Sequence, residues 1–229
     1  MTSEQVITRL RSMANPAGLA GMAHFGITTT NSLGGISSPT LQKLAKEIGR
    51  NHDLAQALWA SGIHEARLLA CMVDDPRSVT EEQMERWVRD FDSWDICDTC
   101  CGYLFDKTPI SYQKALEWTE REEEYVKRAG FALMAYLTVH DKKAPDGRFL
   151  QFLPAIRREA TDDRNFVKKA VNWALRQIGK RNKSLNEAAI EIAREIAELD
   201  ARSARWIASD ALRELTGEAV QRRLQVRRR

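Results

Sequence analysis

The sequence has few of the residues that interrupt regular structure. It contains 12 glycines and six prolines in 229 residues, and seven of the glycines lie before residue 63. It also lacks any run of alternating apolar and polar residues, which is the pattern of a half-buried β-strand. Long helices with short connections are therefore expected over most of the chain, and the fold class predicted is all-α.

Three further absences narrow the class of protein. No apolar run approaches the roughly 20 residues of a membrane span, and Met1–Gln5 lacks the basic and apolar regions of a secretory signal. The four cysteines, Cys71, Cys97, Cys100 and Cys101, are too few and too clustered for a disulfide framework. We therefore expect a cytoplasmic protein that has no contact with a membrane.

Signatures of the common catalytic and metal sites are absent as well. Gly34-Gly35 is not followed by the Lys-Ser/Thr of a phosphate loop, and no Ser-His-Asp or GxSxG arrangement occurs. Cys97-x-x-Cys100-Cys101 offers zinc ligands but has no fourth ligand nearby, and the four histidines have no partner spacing. Buried thiols, no metal and no cofactor are therefore expected.

The charge is unevenly distributed along the chain, although the formal net charge is only +3. Residues 1–110 contain 10 Lys or Arg against 14 Asp or Glu, whereas residues 111–229 contain 25 against 18. Such asymmetry is typical of a nucleic-acid binder, and solvated lysine-rich helices produce it too.

The helical segments recur as pairs at a spacing of about 35–45 residues, the interval at which HEAT and armadillo units stack. We predict one domain over 1–229, an α-solenoid of HEAT-like repeats with a concave basic face. Helices are predicted at about 122–140, with an uncharged buried part at 129–139, and at about 147–160. Residues 216–229 are predicted to be a frayed basic tail. A globular α-bundle is the alternative, and the long loop within 15–38 is expected to carry function.

Two stretches contain the candidate site residues. Trp94 and Asp98 stand at i and i+4 of a predicted helix and so share a face. The helix at 163–181 contains Trp173 off its apolar stripe, and from Arg164 to Lys183 there are seven basic residues and no acidic one. An indole among cations predicts a stacking surface ringed by phosphate contacts, or a Trp packed under lysine stems.

Asp98 and Arg128 each have an alternative role within the protein. Asp98 could instead cap a neighbouring helix or pair with an arginine. Arg128 immediately precedes the uncharged part of a buried helix and needs an anion, which is either a protein carboxylate or a ligand phosphate.

These segments together resemble the DNA alkylation repair glycosylases built from HEAT-like repeats, the AlkD-type family. The resemblance covers nearly the whole chain and rests on four motifs. They are Trp94-Asp95-Ile96-Cys97-Asp98, Lys127-Arg128-Ala129, the run from Phe166 to Arg176, and Leu58-Trp59 followed by His64-Glu65-Ala66-Arg67. The segment 21–26 is less similar to the best-studied members.

The resemblance implies a monofunctional glycosylase that removes positively charged alkylpurines, such as 3-methyladenine and 7-methylguanine, from double-stranded DNA. It implies that Trp94, Asp98, Arg128 and Trp173 converge around the lesion. The expected phosphate contacts are Lys168, Lys169, Arg176, Lys180 and Arg181. A monomer is expected.

Two other functions stay open at this point. A noncatalytic helical-repeat protein could bind distorted or branched DNA, in which case Asp98 would have no role in catalysis. A protein-interaction scaffold would have negligible affinity for DNA, without the steep salt dependence of phosphate binding.

Overall fold

The computed structural model describes residues 1–29 and 31–226, and the regular secondary structure in these ranges is helical, with no β-strand. The chain divides into two compact units, Met1–Thr108 and Pro109–Arg229. The all-α prediction is confirmed. The prediction of a single repeat domain over 1–229 stays a prediction, as does that of a concave basic face.

The first unit contains seven α-helices among its described residues. They are α1 (Ser3–Ser12), α2 (Ala17–His24), α3 (Ser38–Ile48), α4 (His52–Ala60), α5 (His64–Val73), α6 (Glu81–Arg89) and α7 (Trp94–Tyr103). Caps set several of these starts. The Thr80 hydroxyl, for example, accepts a hydrogen bond from Gln83 N at the start of α6.

Helix α5 is the centre of the first unit. Arg67 is its only residue that is not buried, and α3, α4 and α7 pack around it. Beside it the Trp59 and Trp87 rings stack with their centroids 4.0 Å apart, and the Arg67 guanidinium lies 5.1 Å from the Trp59 ring centroid. Burial of each ring stabilises the fold by several kcal/mol, which is about the loss of stability when a buried Trp is replaced by Ala.

The second unit contains the remaining helices. They are α8 (Ser111–Glu117), α9 (Glu124–His140), α10 (Gly147–Leu150), α11 (Leu153–Arg158), α12 (Asn165–Gly179), α13 (Lys183–Ala197), α14 (Arg202–Leu215) and α15 (Glu218–Val226). The uncharged part of α9, predicted to be buried over 129–139, is buried from Ala129 to Ala135, whereas Tyr136 is half-buried and Val139 is 37% exposed. At Gly130 an added Cβ would lie 2.9 Å from Thr119 N, so glycine permits this close approach.

Contacts at a constant separation in sequence show that the second unit is repetitive. Hydrogen bonds join Arg128 to Phe166, Asn172 to Asp210 and Arg176 to Glu214, each pair 38 residues apart. In the first unit the corresponding separation is 31, as between Trp59 and Asp90 or His64 and Asp95. The predicted interval of about 35–45 residues therefore fits the second unit, whereas the first has shorter repeats.

The helix predicted at 147–160 is two helices, α10 and α11. Pro154 explains the break, because it has no N–H to donate to the carbonyl of Leu150 and is favoured at the start of a helix. Its position in the first turn of α11 therefore ends the preceding helix.

The frayed tail predicted at 216–229 is wrong for 218–226, which form α15. Val220 and Leu224, one turn apart, are buried, and Gln221 Nε2 donates to Leu215 O at 2.6 Å. The apolar pair is hard to see in the sequence because arginines surround it. Residues 227–229 of the predicted tail lie outside the described residues, and no described helix is long and apolar enough to cross a membrane.

Candidate functional site

Trp94 and Asp98 lie at the border of the buried face of α7. Both are partly exposed, while Cys97, Cys100 and Cys101 face the core. Burial raises the pKa of the Cys100 and Cys101 thiols well above the ordinary value, which keeps them protonated. The prediction of buried thiols is confirmed. The cysteines therefore fix one face of α7 in the core. Because that face is buried, the edge that contains Trp94 and Asp98 is partly exposed.

The Trp94 ring is anchored at its polar end. Its Nε1 donates a hydrogen bond of 2.9 Å to the backbone carbonyl of Phe25, just after α2. Phe25 itself is 67% exposed, and its ring meets His24 edge-on at 5.3 Å between centroids. The anchor holds the indole in one orientation, which favours a positioned aromatic surface over a mobile one.

A buried histidine supports the same end of α7. His64 Nε2 lies 2.9 Å from Asp95 Oδ2, and the His64 side chain is 1% exposed. Burial alone would lower the pKa of His64, but its hydrogen bond with the Asp95 carboxylate raises it above the ordinary value. Burial would likewise raise the pKa of Asp95, and its hydrogen bond with His64 and the charge of that imidazolium hold it below the ordinary value. Both directions indicate an imidazolium–carboxylate pair.

This pair should make stability depend on pH. The contribution from His64 is complete below its ordinary pKa of about 6.5 and is lost as pH rises through the raised value. The contribution from Asp95 is complete above about pH 3.9 and is lost as pH falls through the lowered value. We therefore expect His64→Gln to cost about 3 kcal/mol of unfolding free energy near pH 5.5 and less near pH 8.5.

Thermal unfolding of wild type and variant across pH 5 to 9 measures this difference. His24→Gln, at an exposed position of α2, is the control and should change Tm little at any pH. A gap between wild type and His64→Gln that stays constant with pH would contradict the ion pair.

Glu65 organises the loop that precedes α3. Its buried carboxylate accepts hydrogen bonds from the Ser32 hydroxyl at 2.5 Å and from the backbone N of Leu33, Gly34 and Gly35 at 2.8 to 3.3 Å. The loop is held a second time by Asn31, whose Nδ2 donates to Gly62 O at 2.8 Å. Residues 31–35 of the long loop predicted to carry function are therefore held on helix α5, which also positions His64.

In the second unit, Arg128 and Trp173 lie along one pair of helices. Arg128 is 6% exposed and its Nη1 donates to Phe166 O, at the start of α12, at 2.7 Å. Two turns further along α9, the Tyr136 ring meets the Trp173 ring edge-on at 5.0 Å between centroids. The two predicted site residues are thus separated by about 12 Å along the helices, at a rise of 1.5 Å per residue.

The basic residues of α12 differ in what they contact. Lys169 is exposed, and Lys168 Nζ lies 5.7 Å from the centroid of the Trp206 ring. Arg176 Nη1 lies 2.6 Å from Glu214 Oε2, and Lys180 Nζ lies 2.7 Å from Glu214 Oε1. Burial would raise the pKa of Glu214, but Lys180 and Arg176 hold it below the ordinary value. A DNA phosphate at Arg176 or Lys180 would have to compete with this carboxylate.

Arg181 is bound to the protein backbone. Its guanidinium donates to the carbonyls of Thr138, Asp141 and Ala144 at 2.7 to 3.0 Å and lies 4.3 Å from the centroid of the Phe149 ring. Arginine has five donors in a fixed fork, so three carbonyls occupy much of its capacity. These contacts fix Arg181 against the second unit, which its position in a basic run did not indicate, and its role as a phosphate contact stays a prediction.

Sequence reasoning missed the His64–Asp95 pair and the role of Glu65. Both histidine and glutamate lie in the segment 58–67, and Asp95 lies beside Trp94 in the motif, so the signal was present. The sequence did not show that residues 31 apart lie next to each other in the first unit, which is what brings His64 to Asp95. Among residues 1–29 and 31–226, no group of three or more His, Cys, Asp or Glu side chains is placed to hold a metal ion.

The sequence is similar to known proteins over most of its length. The model of a family described as DNA alkylation repair enzyme matches residues 6–215. Two uncharacterised proteins, Lin0241 of Listeria innocua and Lmo0209 of Listeria monocytogenes, are 23% and 22% identical over 202 residues, or 87% of this chain and 88% of each relative.

One solved structure is similar over the whole chain. It is described as a new family of proteins related to the HEAT-like repeat DNA glycosylases with affinity for branched DNA structures. The two folds superpose with a TM-score of 0.79 over 98% of this chain and 96% of that one, at 20% sequence identity. The predicted HEAT-like repeat fold is therefore confirmed.

Proposed function

The chain belongs to the DNA alkylation repair enzyme family, and we propose that it is a DNA glycosylase that excises cationic alkylated purines. The observation that carries the proposal is the edge of α7, where Asp98 and an anchored Trp94 stand one turn apart and partly exposed. A carboxylate beside an indole is the group that this hydrolysis needs. The product would be an abasic site and the free base.

The chemistry requires little acid catalysis. A purine alkylated at N3 or N7 is positively charged and is already a good leaving group, so its N-glycosidic bond breaks without protonation. What must be stabilised is the positive charge that develops on the deoxyribose. A fixed carboxylate close to that charge provides electrostatic stabilisation, which is commonly the largest single contribution to catalysis.

Each candidate residue has a proposed role. Asp98 stabilises the oxocarbenium ion and positions the attacking water, while Trp94 and Trp173 exclude solvent and attract the cation through their ring faces. Arg128 binds a phosphate near the lesion. We assign the further phosphate contacts of α12 to Lys168 and Lys169, because Glu214 occupies Arg176 and Lys180. The reaction needs no cofactor, and the substrate places the protein with chromosomal DNA.

A noncatalytic function is the second candidate. The similar solved structure is described as having affinity for branched DNA, and a protein that binds junctions needs no carboxylate at the sugar. That function predicts tight binding of a four-way junction and no release of base.

Incubation of the purified full-length protein with a methylated duplex tests the proposal. We expect release of 3-methyladenine or 7-methylguanine, together with abasic sites cleavable by alkali, in a reaction that chelators do not inhibit. Unmethylated duplex of the same sequence is the control. Tight junction binding without release of any alkylated base would contradict the proposal and support the second candidate.

A further inference from the structure

A cavity of about 480 Å³ lies in the second unit, at the C-terminal ends of α9 and α12 and beside α15. Its size is within the range of sites for small molecules or parts of larger ligands. Thr138 and Val139 of α9, Gln177 of α12 and Arg223 of α15 contribute to the walls. None of its residues belongs to the site on α7.

The walls of the cavity are held by hydrogen bonds. Arg181 fixes the loop after α9 through its bonds to three carbonyls, and Asn182 Nδ2 donates to Asp146 Oδ1 at 2.7 Å. From the other side, Arg223 Nη2 donates to Lys180 O at 2.7 Å and ties α15 to the end of α12. A ligand would thus enter a preformed site and would not need to order a loop.

The cavity is positively charged. Four cations line it, Lys142, Lys180, Arg181 and Arg223, against one carboxylate, Asp146. Lys180 is also paired with Glu214. The ends of α9 and α12 add only about half a negative charge each, so the helix dipoles do not neutralise the remaining cations. An anion is the ligand that this charge favours.

We propose that the cavity binds a phosphate of the DNA backbone, in addition to the contacts that α12 makes. The inference rests on the proposed function in one respect, that DNA is the ligand. An extended polyanion fits better than a small free anion, because the lining cation Lys142 is exposed at the surface, where one phosphate of a continuous chain can reach it.

Removal of two cavity cations tests the assignment. Binding of a labelled 20-base-pair duplex by the full-length Lys142→Ala/Arg223→Ala variant is measured by fluorescence anisotropy at several salt concentrations. We expect affinity to fall about 10-fold near 0.1 M salt. The slope of log Kd against log salt should fall by about 0.9, the value for one phosphate.

A matched double variant controls for the loss of charge. Lys143→Ala/Arg222→Ala removes two cations from neighbouring positions that do not line the cavity, one of them paired with Glu218. It should change affinity less than about 2-fold. Equal losses in the two double variants, or no loss in the cavity variant, would overturn the proposal. If the cavity variant melts at a lower temperature, Lys142→Gln/Arg223→Gln replaces it.

Two further measurements distinguish a DNA site from a small-anion site, and failure of this inference from failure of the proposed function. Calorimetric titration with inorganic phosphate shows whether the cavity is a small-anion site. If the cavity variant loses binding of inorganic phosphate but keeps its affinity for DNA, the assignment of the cavity to DNA is overturned. Excision at saturating protein should be the same in wild type and cavity variant. A wild type that excises nothing, with the predicted change in affinity present, would contradict the proposed function and leave this inference supported.

Discussion

Asp98→Asn is expected to lower the rate of base excision at least ~100-fold, the size of effect seen when a group that stabilises transition-state charge is removed. The amide has the same shape as the carboxylate but no negative charge to place beside the developing oxocarbenium ion. DNA affinity should change less than about 3-fold, or increase slightly, because a carboxylate repels the phosphate backbone. Single-turnover release of 7-methylguanine from a methylated duplex measures the rate.

Asp92→Asn is the matched control for this change. Asp92 precedes α7, is exposed, and loses the same charge in the same chemical way. It should leave the excision rate within about 2-fold of wild type, since an exposed charge is largely screened by solvent. Equal effects of the two substitutions would show that general charge, and not the position of Asp98, controls the reaction.

Glu65→Ala is expected to lower the stability of the protein strongly. The substitution removes the acceptor for the Ser32 hydroxyl and for the backbone N of three residues of the loop. Unsatisfied buried donors cost roughly 1–3 kcal/mol each, and release of the loop to solvent limits the total. We expect a loss of about 3 kcal/mol and a fall in Tm of roughly 6–12 °C.

Glu65→Gln separates the charge from the shape. Its amide keeps one acceptor oxygen but turns an NH₂ group toward donors. The stability of Glu65→Gln should therefore lie between that of wild type and that of Glu65→Ala. Glu82→Ala, at an exposed position in the first turn of α6, is expected to cost less than about 0.5 kcal/mol. A Glu65→Ala protein that melts like wild type would contradict the role of Glu65 in holding the loop.

Much of the fold could be predicted from the sequence, because its helices obey local rules. Long apolar periodicity, Thr80 as an N-cap and the uncharged part of α9 each specify a helix without information from elsewhere in the chain. Two predictions were wrong, the continuous helix at 147–160 and the frayed tail at 218–226, because each was based on one local feature of the sequence. Pro154 begins a new helix in a region predicted as continuous, and two apolar residues order α15 within an arginine-rich segment.

The surroundings of the site residues could not be predicted, because they depend on contacts between distant segments. The sequence places Trp94 and Asp98 one turn apart, and the structure agrees. It does not reveal that Phe25 O holds Trp94, or that Glu214 occupies Arg176 and Lys180. A basic run predicts charge but not which cations are already paired. That distinction changed the assignment of the phosphate contacts.

The most direct test measures excision and affinity together, for wild type and Asp98→Asn, on one labelled duplex that contains 7-methylguanine. Protein is kept in excess so that each rate reports chemistry and each titration reports binding. The account predicts that wild type releases the base, that Asp98→Asn releases it at least ~100-fold more slowly, and that both bind the duplex about equally. Equal release by the two proteins, or none by either at full occupancy, would contradict the account.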